Sequence, residues 1–251
     1  MKSIHSLFRL LIAVIATTGS LSAQSEVMAW GNLIGIRVDG QLMEFETSLS
    51  VVGEDWHSHT ATGKERQRPR YDREGETQTI QTGISGIQFS EVVQENGKGS
   101  VVVTIDVKAT KDTLVEGVFF CVELPGKYYA NGMLRFLNAS PAGRSKINLT
   151  GITGDTYYKP IKVRSKGLIA ESPLRKLELQ FNADAVVYVR KEPGIAGIRL
   201  YIALTGRKIA KGQQTRKTIT IKAGGSIDNA PVEIVLDTKN PGARFEGLGG
   251  N

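Results

Sequence analysis

The sequence has very little cysteine, few aromatic residues and no recognisable catalytic motif. Cys121 is the only cysteine among 251 residues, so no internal disulfide can form and stability must come from the core. Because Cys121 lies in the apolar run at 118–122, we expect a buried thiol rather than a nucleophile. With 40% hydrophobic and 23% charged residues, the composition is that of a folded protein.

The motifs that mark common active sites are missing. The sequence contains no Gly-x-Ser-x-Gly elbow, no His-Glu-x-x-His pair, no P-loop and no EF-hand loop. The glycines at 247–250 have the wrong spacing for a dinucleotide fingerprint. Acidic residues are scattered, so no pair can be nominated as a glycosidase dyad. We therefore predict no catalytic residue and no cofactor in this chain.

The first 23 residues have the order of a secretory signal peptide. Lys2 and Arg9 precede a short apolar run at 10–16, and small and polar residues follow up to Ala23. The apolar run is too short for a permanent membrane span. We expect cleavage after Ala23, export to the periplasm or the extracellular space, and no membrane association afterwards.

A weak basic excess remains after this cleavage. The formal net charge of +7 falls to about +5 when Lys2 and Arg9 are removed. The basic residues are dispersed except in the run at 64–70, which is typical of a solvated loop. Such a run could also meet an acidic polysaccharide or a nucleic acid. We favour the loop and predict no nucleic-acid partner.

Short apolar and polar alternations separated by turn residues dominate the remainder. Alternation places one face of a strand on a core and the other in water. Repeated strands of this kind predict an all-β antiparallel sandwich at 24–240 with at most one or two short helices. A large sandwich that extends over two large sheets is one form of this prediction. Two small sandwiches dividing near Pro160 are the alternative. The predicted strands are 33–38, 42–51, 79–89, 99–108, 114–124, 132–137, 147–149, 161–165, 176–181, 185–189, 198–205, 215–222 and 232–237.

Turn residues support this segmentation. Asp39-Gly40 stands between two apolar runs, the strongest short signal for a hairpin. Asn96-Gly97 separates two further strands in the same way, and Asn131-Gly132 and Gly224-Gly225 are also turn candidates.

Residues 54–77 are predicted to be the least regular region, and long irregular loops are often functional. His57 and His59 lie two positions apart beside Glu54 and Asp55. Two imidazoles can bind zinc or copper, but a site needs three or four ligands. The preferred interpretation is a solvated loop that Trp56 anchors to the sandwich, with no metal.

Five aromatic residues are candidates for contact with a carbohydrate. Sugars stack their apolar faces on exposed rings, and tyrosine pairs follow loop residues at two places. The alternative is that one ring of each pair packs inward. The candidates are Trp56, Tyr128, Tyr129, Tyr157 and Tyr158.

The last residues carry a resemblance to a known family. Phe245, Gly247, Leu248, Gly249 and Gly250 resemble the opening of the first barrel strand in clan A glycoside hydrolases, particularly family 30. The match covers about seven residues, and Leu248 stands where the family commonly has phenylalanine. The resemblance implies that residues 241–251 begin a catalytic barrel otherwise missing from this chain. Its catalytic carboxylates would lie beyond Asn251.

Three hypotheses follow. The first is a non-catalytic accessory sandwich of an exported glycoside hydrolase, with a polysaccharide as the expected ligand. The second is a free-standing carbohydrate-binding or adhesin-like module. The third is a β-rich polysaccharide lyase that uses Tyr, His, Lys or Arg.

Overall fold

A computed structural model describes residues 24–56, 58–64 and 66–231. Several sequence predictions lie outside the described residues: the signal peptide at 1–23, His57, the strand at 232–237 and the barrel-like tail at 241–251. Within the described ranges, no helix is both long and apolar enough to cross a membrane.

The described residues are almost entirely antiparallel β-structure, as predicted. Helix α1 comprises Gly126–Tyr129, and 3-10 turns lie at Glu54–Trp56, Ala142–Arg144, Leu149–Gly151 and Gly154–Tyr157. Strands β1 to β18 are, in order, Ser25–Val27, Leu33–Val38, Gln41–Glu44, Glu46–Val52, His59–Ala61, Arg70–Glu74, Thr77–Ile84, Ile87–Glu95, Ser100–Ala109, Thr113–Leu114, Gly117–Leu124, Met133–Leu137, Lys146–Asn148, Ile161–Glu171, Arg175–Arg190, Ile198–Ala203, Lys208–Ile209 and Gln214–Gly225.

One large sheet holds most of these strands in the order β5-β4-β11-β16-β15-β18-β9-β8-β7-β6, and β14, β12 and β13 attach through β15. The 16-residue β15 is shared between two halves of the sheet. One half contains β5, β4, β11 and β16, and the other contains β18, β9, β8, β7 and β6. Its residues 175–181 pair with β18, whereas residues 187–190 pair with β16. Strands from before and after Pro160 therefore alternate within one sheet.

The two halves of the sheet enclose a common core. Phe120 and Leu200 from one half and Val103 and Ile221 from the other belong to the same buried cluster. The small sheet β1-β2-β3 adds further apolar side chains to it. This arrangement confirms the predicted all-β sandwich.

The alternation seen in the sequence sets which side chains enter the core. In β9, Val103 and Ile105 are fully buried, while Thr104 and Asp106 point outward. Strand β11 differs because both of its faces are covered. Its Phe119 and Cys121 belong to a second buried cluster on the opposite face from the main core. The prediction of a buried Cys121 thiol is thus confirmed.

Several predicted boundaries were wrong. The predicted strand at 79–89 is a hairpin of β7 and β8, and its turn places Ser85 and Gly86 at φ of 52° and 85°. The predicted break at 182–184 is absent, because β15 continues while it changes partner. Gly224 and Gly225 lie in β18, opposite β15, and do not form a turn. The region 54–77 is more regular than expected, since it contains β5 and β6.

A carboxyl group is enclosed on the inner side of β8. Glu91 is only 2% exposed and lies in the buried series of that strand, between Phe89 and Val93. Gly31, at φ 100°, makes room for it, because a Cβ atom there would lie 2.8 Å from Glu91 Oε2. Burial raises the pKa of Glu91 to about 8.

Candidate functional site

The outer face of the sheet around β11, β15 and β16 carries four packed rings, Trp56, Phe119, Tyr188 and Tyr201, which we call the aromatic cluster. Tyr201 lies directly opposite Tyr188 in the strand register. Trp56 comes from the 3-10 turn after β4, where its φ is 64°. Its ring stacks on Phe119 with centroids 5.6 Å apart and meets Tyr201 edge to face at 5.1 Å. Side chains from four separate elements thus form one cluster.

Arg190 packs between Trp56 of the aromatic cluster and Tyr157. Its guanidinium carbon lies 4.3 Å from the centroid of Trp56 and 4.6 Å from that of Tyr157, and its side chain is 4% exposed. It donates a hydrogen bond to the carbonyl oxygen of Tyr157 and lies 3.4 Å from Glu192 Oε1. A cation held between two ring faces is favourable where water is excluded. The space between the rings is therefore filled by protein.

Polar groups capable of proton transfer surround the rings. The Tyr201 hydroxyl donates to Glu192 Oε1 at 2.6 Å, and Arg199 Nη2 donates to Glu123 Oε2 at the same distance. The His59 ring lies 5.8 Å from that of Tyr201. Partial desolvation of the His59 ring against the neighbouring rings, assisted by the charge of Arg199, lowers the pKa of His59 to about 4, although the residue keeps exposed surface. Burial raises the pKa of Tyr201.

Two of these groups, Tyr201 and Arg199, are already paired with carboxylates of the protein. At neutral pH His59 is uncharged and a weak base, and Tyr201 keeps its proton. Each charged partner is already engaged by another protein group. Within 24–56, 58–64 and 66–231 there is also no cluster of three or more metal-ligating side chains. His59 therefore has no described ligand set around it.

Three of the five predicted aromatic residues meet at this place. Trp56 is in the aromatic cluster, Tyr157 covers Arg190, and the ring of Tyr158 meets that of Tyr157 edge to face at 5.0 Å. Trp56, which was expected to anchor the region 54–77 to the sandwich, stacks on Phe119. Tyr158 is 81% exposed, so among the described rings at this place it offers the most open face.

The other two predicted residues lie elsewhere, on α1. Tyr129 is 3% exposed and belongs to the main core. The Tyr128 hydroxyl donates to Glu44 Oε1 at 2.9 Å, and Arg175 lies over its ring at 4.3 Å. One ring packs inward and the other is already covered by a cation. The structure thus does not bring the two tyrosine pairs into one site.

A second surface, which we call the polar groove, crosses β7, β8, β9 and β18 on the outer face of the sheet. It has a volume of about 810 Å³. It was not predicted from the sequence. The lining residues are Gln81, Thr82, Gln88, Phe89, Ser90, Asp106, Val107, Lys108, Gln214, Thr215 and Arg216.

Strand register builds the floor of the polar groove. Ser90 lies opposite Gln81 on one side and Asp106 on the other, and Asp106 lies opposite Arg216. The adjacent row consists of Gln88, Lys108 and Gln214. Directly opposed residues in antiparallel strands share a face, so these side chains stand together on the outer surface.

The exposed lining of the polar groove is about equally polar and apolar, and its polar part consists of amide, hydroxyl and charged groups. Arg216 donates two hydrogen bonds to the Asp106 carboxylate, at 2.6 and 2.7 Å. Thr82 lies opposite the core residue Phe89 in the register, so it belongs to the inward row and not to the outward row of Gln81 and Ser90. Amides donate and accept at once, which suits a ligand rich in hydroxyl groups. The volume lies within the range of small-ligand sites.

The sequence predicts which residues of a single strand face the groove, but not which strands lie side by side. Alternation in β9 indicates that Asp106 and Lys108 point away from the core. It does not indicate that Gln81 or Arg216 shares their surface, because those residues belong to other strands. Arg216 and Asp106 are 110 positions apart in the chain.

No family model and no curated protein matches this chain. Several solved structures show a remote likeness. The galactose 1-epimerase of Lactobacillus acidophilus NCFM is 10% identical, with 82% of this chain and 80% of that chain covered and a TM-score of 0.43. A putative aldose 1-epimerase of Escherichia coli K12 is 8% identical, with 79% and 94% covered and a TM-score of 0.45. The α-N-acetylgalactosaminidase NagBb of Bifidobacterium bifidum is 8% identical, with 82% and 35% covered and a TM-score of 0.46.

Proposed function

We propose that this chain is a non-catalytic carbohydrate-binding β-sandwich of an exported protein, and that it holds a polysaccharide in the polar groove. The observation that carries the proposal is the groove itself, about 810 Å³ in volume and lined by three glutamine amides beside hydroxyl and charged groups. Sugar hydroxyls are recognised by such planar donors and acceptors. An extended groove on a sheet also admits a chain that continues beyond it.

Affinity electrophoresis of the full chain in gels that contain neutral and acidic polysaccharides tests this proposal. Replacement of Gln88 or Gln214 by alanine should weaken binding by about threefold to tenfold, the effect of one lost hydrogen bond. Gln94→Ala is the matched control, since Gln94 is exposed on β8 but does not line the groove. Absence of retardation on every polysaccharide would contradict the proposal.

The exposed Tyr158 ring is a separate candidate for contact with a sugar, as the sequence suggested. A Tyr158→Ala variant distinguishes the two surfaces, because it removes stacking on the exposed Tyr158 ring and leaves the polar groove unchanged. If Tyr158→Ala abolishes binding while Gln88→Ala does not, the ligand lies at the tyrosine and not in the groove.

The lyase hypothesis is favoured by one observation and opposed by another. His59, Tyr201 and Arg199, the residue types that such a reaction needs, lie together although nothing in the sequence indicated it. However, Tyr201 is fully buried and its hydroxyl is engaged by Glu192. We therefore rank binding first. Ultraviolet absorbance from an unsaturated product of pectin, alginate or glycosaminoglycans would reverse that order.

Two finer parts of the proposal concern the parent protein. We propose that the mature chain is periplasmic or extracellular, and that it is the accessory part of a family 30-like glycoside hydrolase with a C-terminal barrel. Support comes only from the sequence patterns at 1–23 and 241–251. The downstream DNA tests the second part, because a barrel should follow in frame or after one frameshift.

A further inference from the structure

The row of polar side chains on the groove floor continues beyond the groove onto the edge strand β6. Arg70 lies directly opposite Gln81 in the register of β6 and β7. Arg70 and Arg216 therefore stand at the two ends of one row that crosses five strands, with Gln81, Ser90 and Asp106 between them. A basic residue closes each end of the floor.

The positive charges along this surface are not all compensated. Asp106 and Arg216 hold each other through two hydrogen bonds. Lys108, in the adjacent row between Gln88 and Gln214, forms no ion pair with any residue of the described ranges. Asp72 shares the outer face of β6 with Arg70 and partly offsets its charge. Among the described residues, the Lys108 ammonium group in the middle of the polar groove is therefore without a carboxylate partner.

We propose that the ligand of the polar groove is a uronic-acid-containing glycan, whose carboxylate is bound by Lys108 and whose hydroxyl groups are bound by the flanking glutamines. This inference rests on the proposed function, because it names the class of glycan for the same groove. A charge-assisted hydrogen bond to a carboxylate is stronger than one between neutral groups. The ligand should therefore be selected by its charge and held by its hydroxyl groups.

The sparse charge argues for a uronate over more highly charged polymers. One free ammonium among neutral amides fits one carboxylate per sugar, whereas a heavily sulfated chain calls for several cations side by side. Proteins that bind single-stranded nucleic acid commonly present exposed rings on which the bases stack. Phe89 is the only aromatic residue among the groove-lining residues of the described chain, and it is 3% exposed.

The test compares polygalacturonate with its fully methyl-esterified form, which has the same sugar backbone without the charge. Titration calorimetry with the full chain should show at least about tenfold weaker binding of the ester, because the ester removes a charged hydrogen-bond acceptor. Added salt should weaken binding of the acid but not of the ester.

Lys108→Met removes the ammonium and keeps the length of the side chain. It should reduce the affinity for polygalacturonate to that for the ester and leave the ester unaffected. Lys166→Met is the matched control, because Lys166 is an exposed lysine of β14 that does not line the groove. Thermal melts of both variants check that they are folded.

The outcomes separate this inference from the proposed function. Equal affinity for the acid and the ester would overturn the uronate assignment and leave glycan binding intact. Failure to bind any glycan would overturn both. Tighter binding of dextran sulfate or single-stranded DNA that also depends on Lys108 would refute the uronate and assign the groove to another polyanion. Equal losses in Lys108→Met and Lys166→Met would reduce the effect to net charge and refute the site.

Discussion

The enclosed carboxyl group of Glu91 makes stability depend on pH in a defined direction. Burial raises its pKa from 4.5 to about 8, so the folded protein holds this proton and the unfolded chain releases it more readily. Below pH 4.5 the carboxyl group is protonated in both the folded and the unfolded state, and the free energy of unfolding has its full value. It falls as pH rises toward 8, because only the unfolded chain then releases the proton. Each unit of pH in that window should lower the free energy of unfolding by about 1.4 kcal/mol.

Glu91→Gln isolates this effect, because the amide has nearly the same shape and cannot ionise. Over the three units from pH 5 to pH 8, the native protein should lose about 4 kcal/mol relative to the variant. Near pH 5 the two should differ little, and near pH 8 the variant should be the more stable. Urea unfolding, followed by intrinsic fluorescence at four pH values, measures the difference.

Glu178→Gln is the control, since Glu178 lies in β15 and bonds to Gln180 on the outer surface. Its stability should change with pH as that of the native protein does. Parallel curves for the native protein and Glu91→Gln would refute the reasoning. They would mean that the folded protein stabilises the Glu91 carboxylate as much as water does.

Three further predictions concern the aromatic cluster and two residues beside it, His59 and Cys121. The pKa of His59 is lowered from 6.5 to about 4, so the unfolded chain binds a proton in this window more readily than the folded protein. The contribution of His59 to the free energy of unfolding is therefore present above pH 6.5 and is lost as pH falls toward 4. NMR titration of its ring should give a midpoint near pH 4. Trp56→Ala should destabilise the fold by about 3 kcal/mol in urea unfolding, because it removes the ring that stacks on Phe119 and covers Arg190; Trp56→Phe should lose less. Cys121 is buried and its pKa is raised to about 12, so it should react with a thiol reagent only after denaturation; rapid labelling of the native protein would contradict this.

The strands could be predicted because burial of one face leaves a local pattern. Strand β9 shows it plainly, with buried Val103 and Ile105 and outward Thr104 and Asp106. Where two strands are joined by a tight turn, the pattern runs on, and the hairpin at Ser85-Gly86 was predicted as one strand. The dipeptide Ser-Gly between two isoleucines was an available turn signal.

The sites could not be predicted, because they depend on pairing between distant strands. The sequence indicates Trp56 as an anchor but not its partners Tyr188 and Tyr201, because they lie within strands whose register the sequence does not specify. The same holds for Gln81 and Arg216 in the polar groove. Periodicity tells which side of a strand a residue occupies, and it does not tell which residue lies beside it.

The sharing of β15 has a consequence for how the molecule assembles. Neither half of the sheet can complete its hydrogen bonding until this strand is placed, and β18 must also find β9 far back in the chain. Such long-range pairing closes large loops before any contact is gained, so we expect slow, cooperative folding with a rate limited by chain topology. A nick in the hairpin at Ser172-Pro173-Leu174 should then disable refolding of the whole unit, not of one half alone.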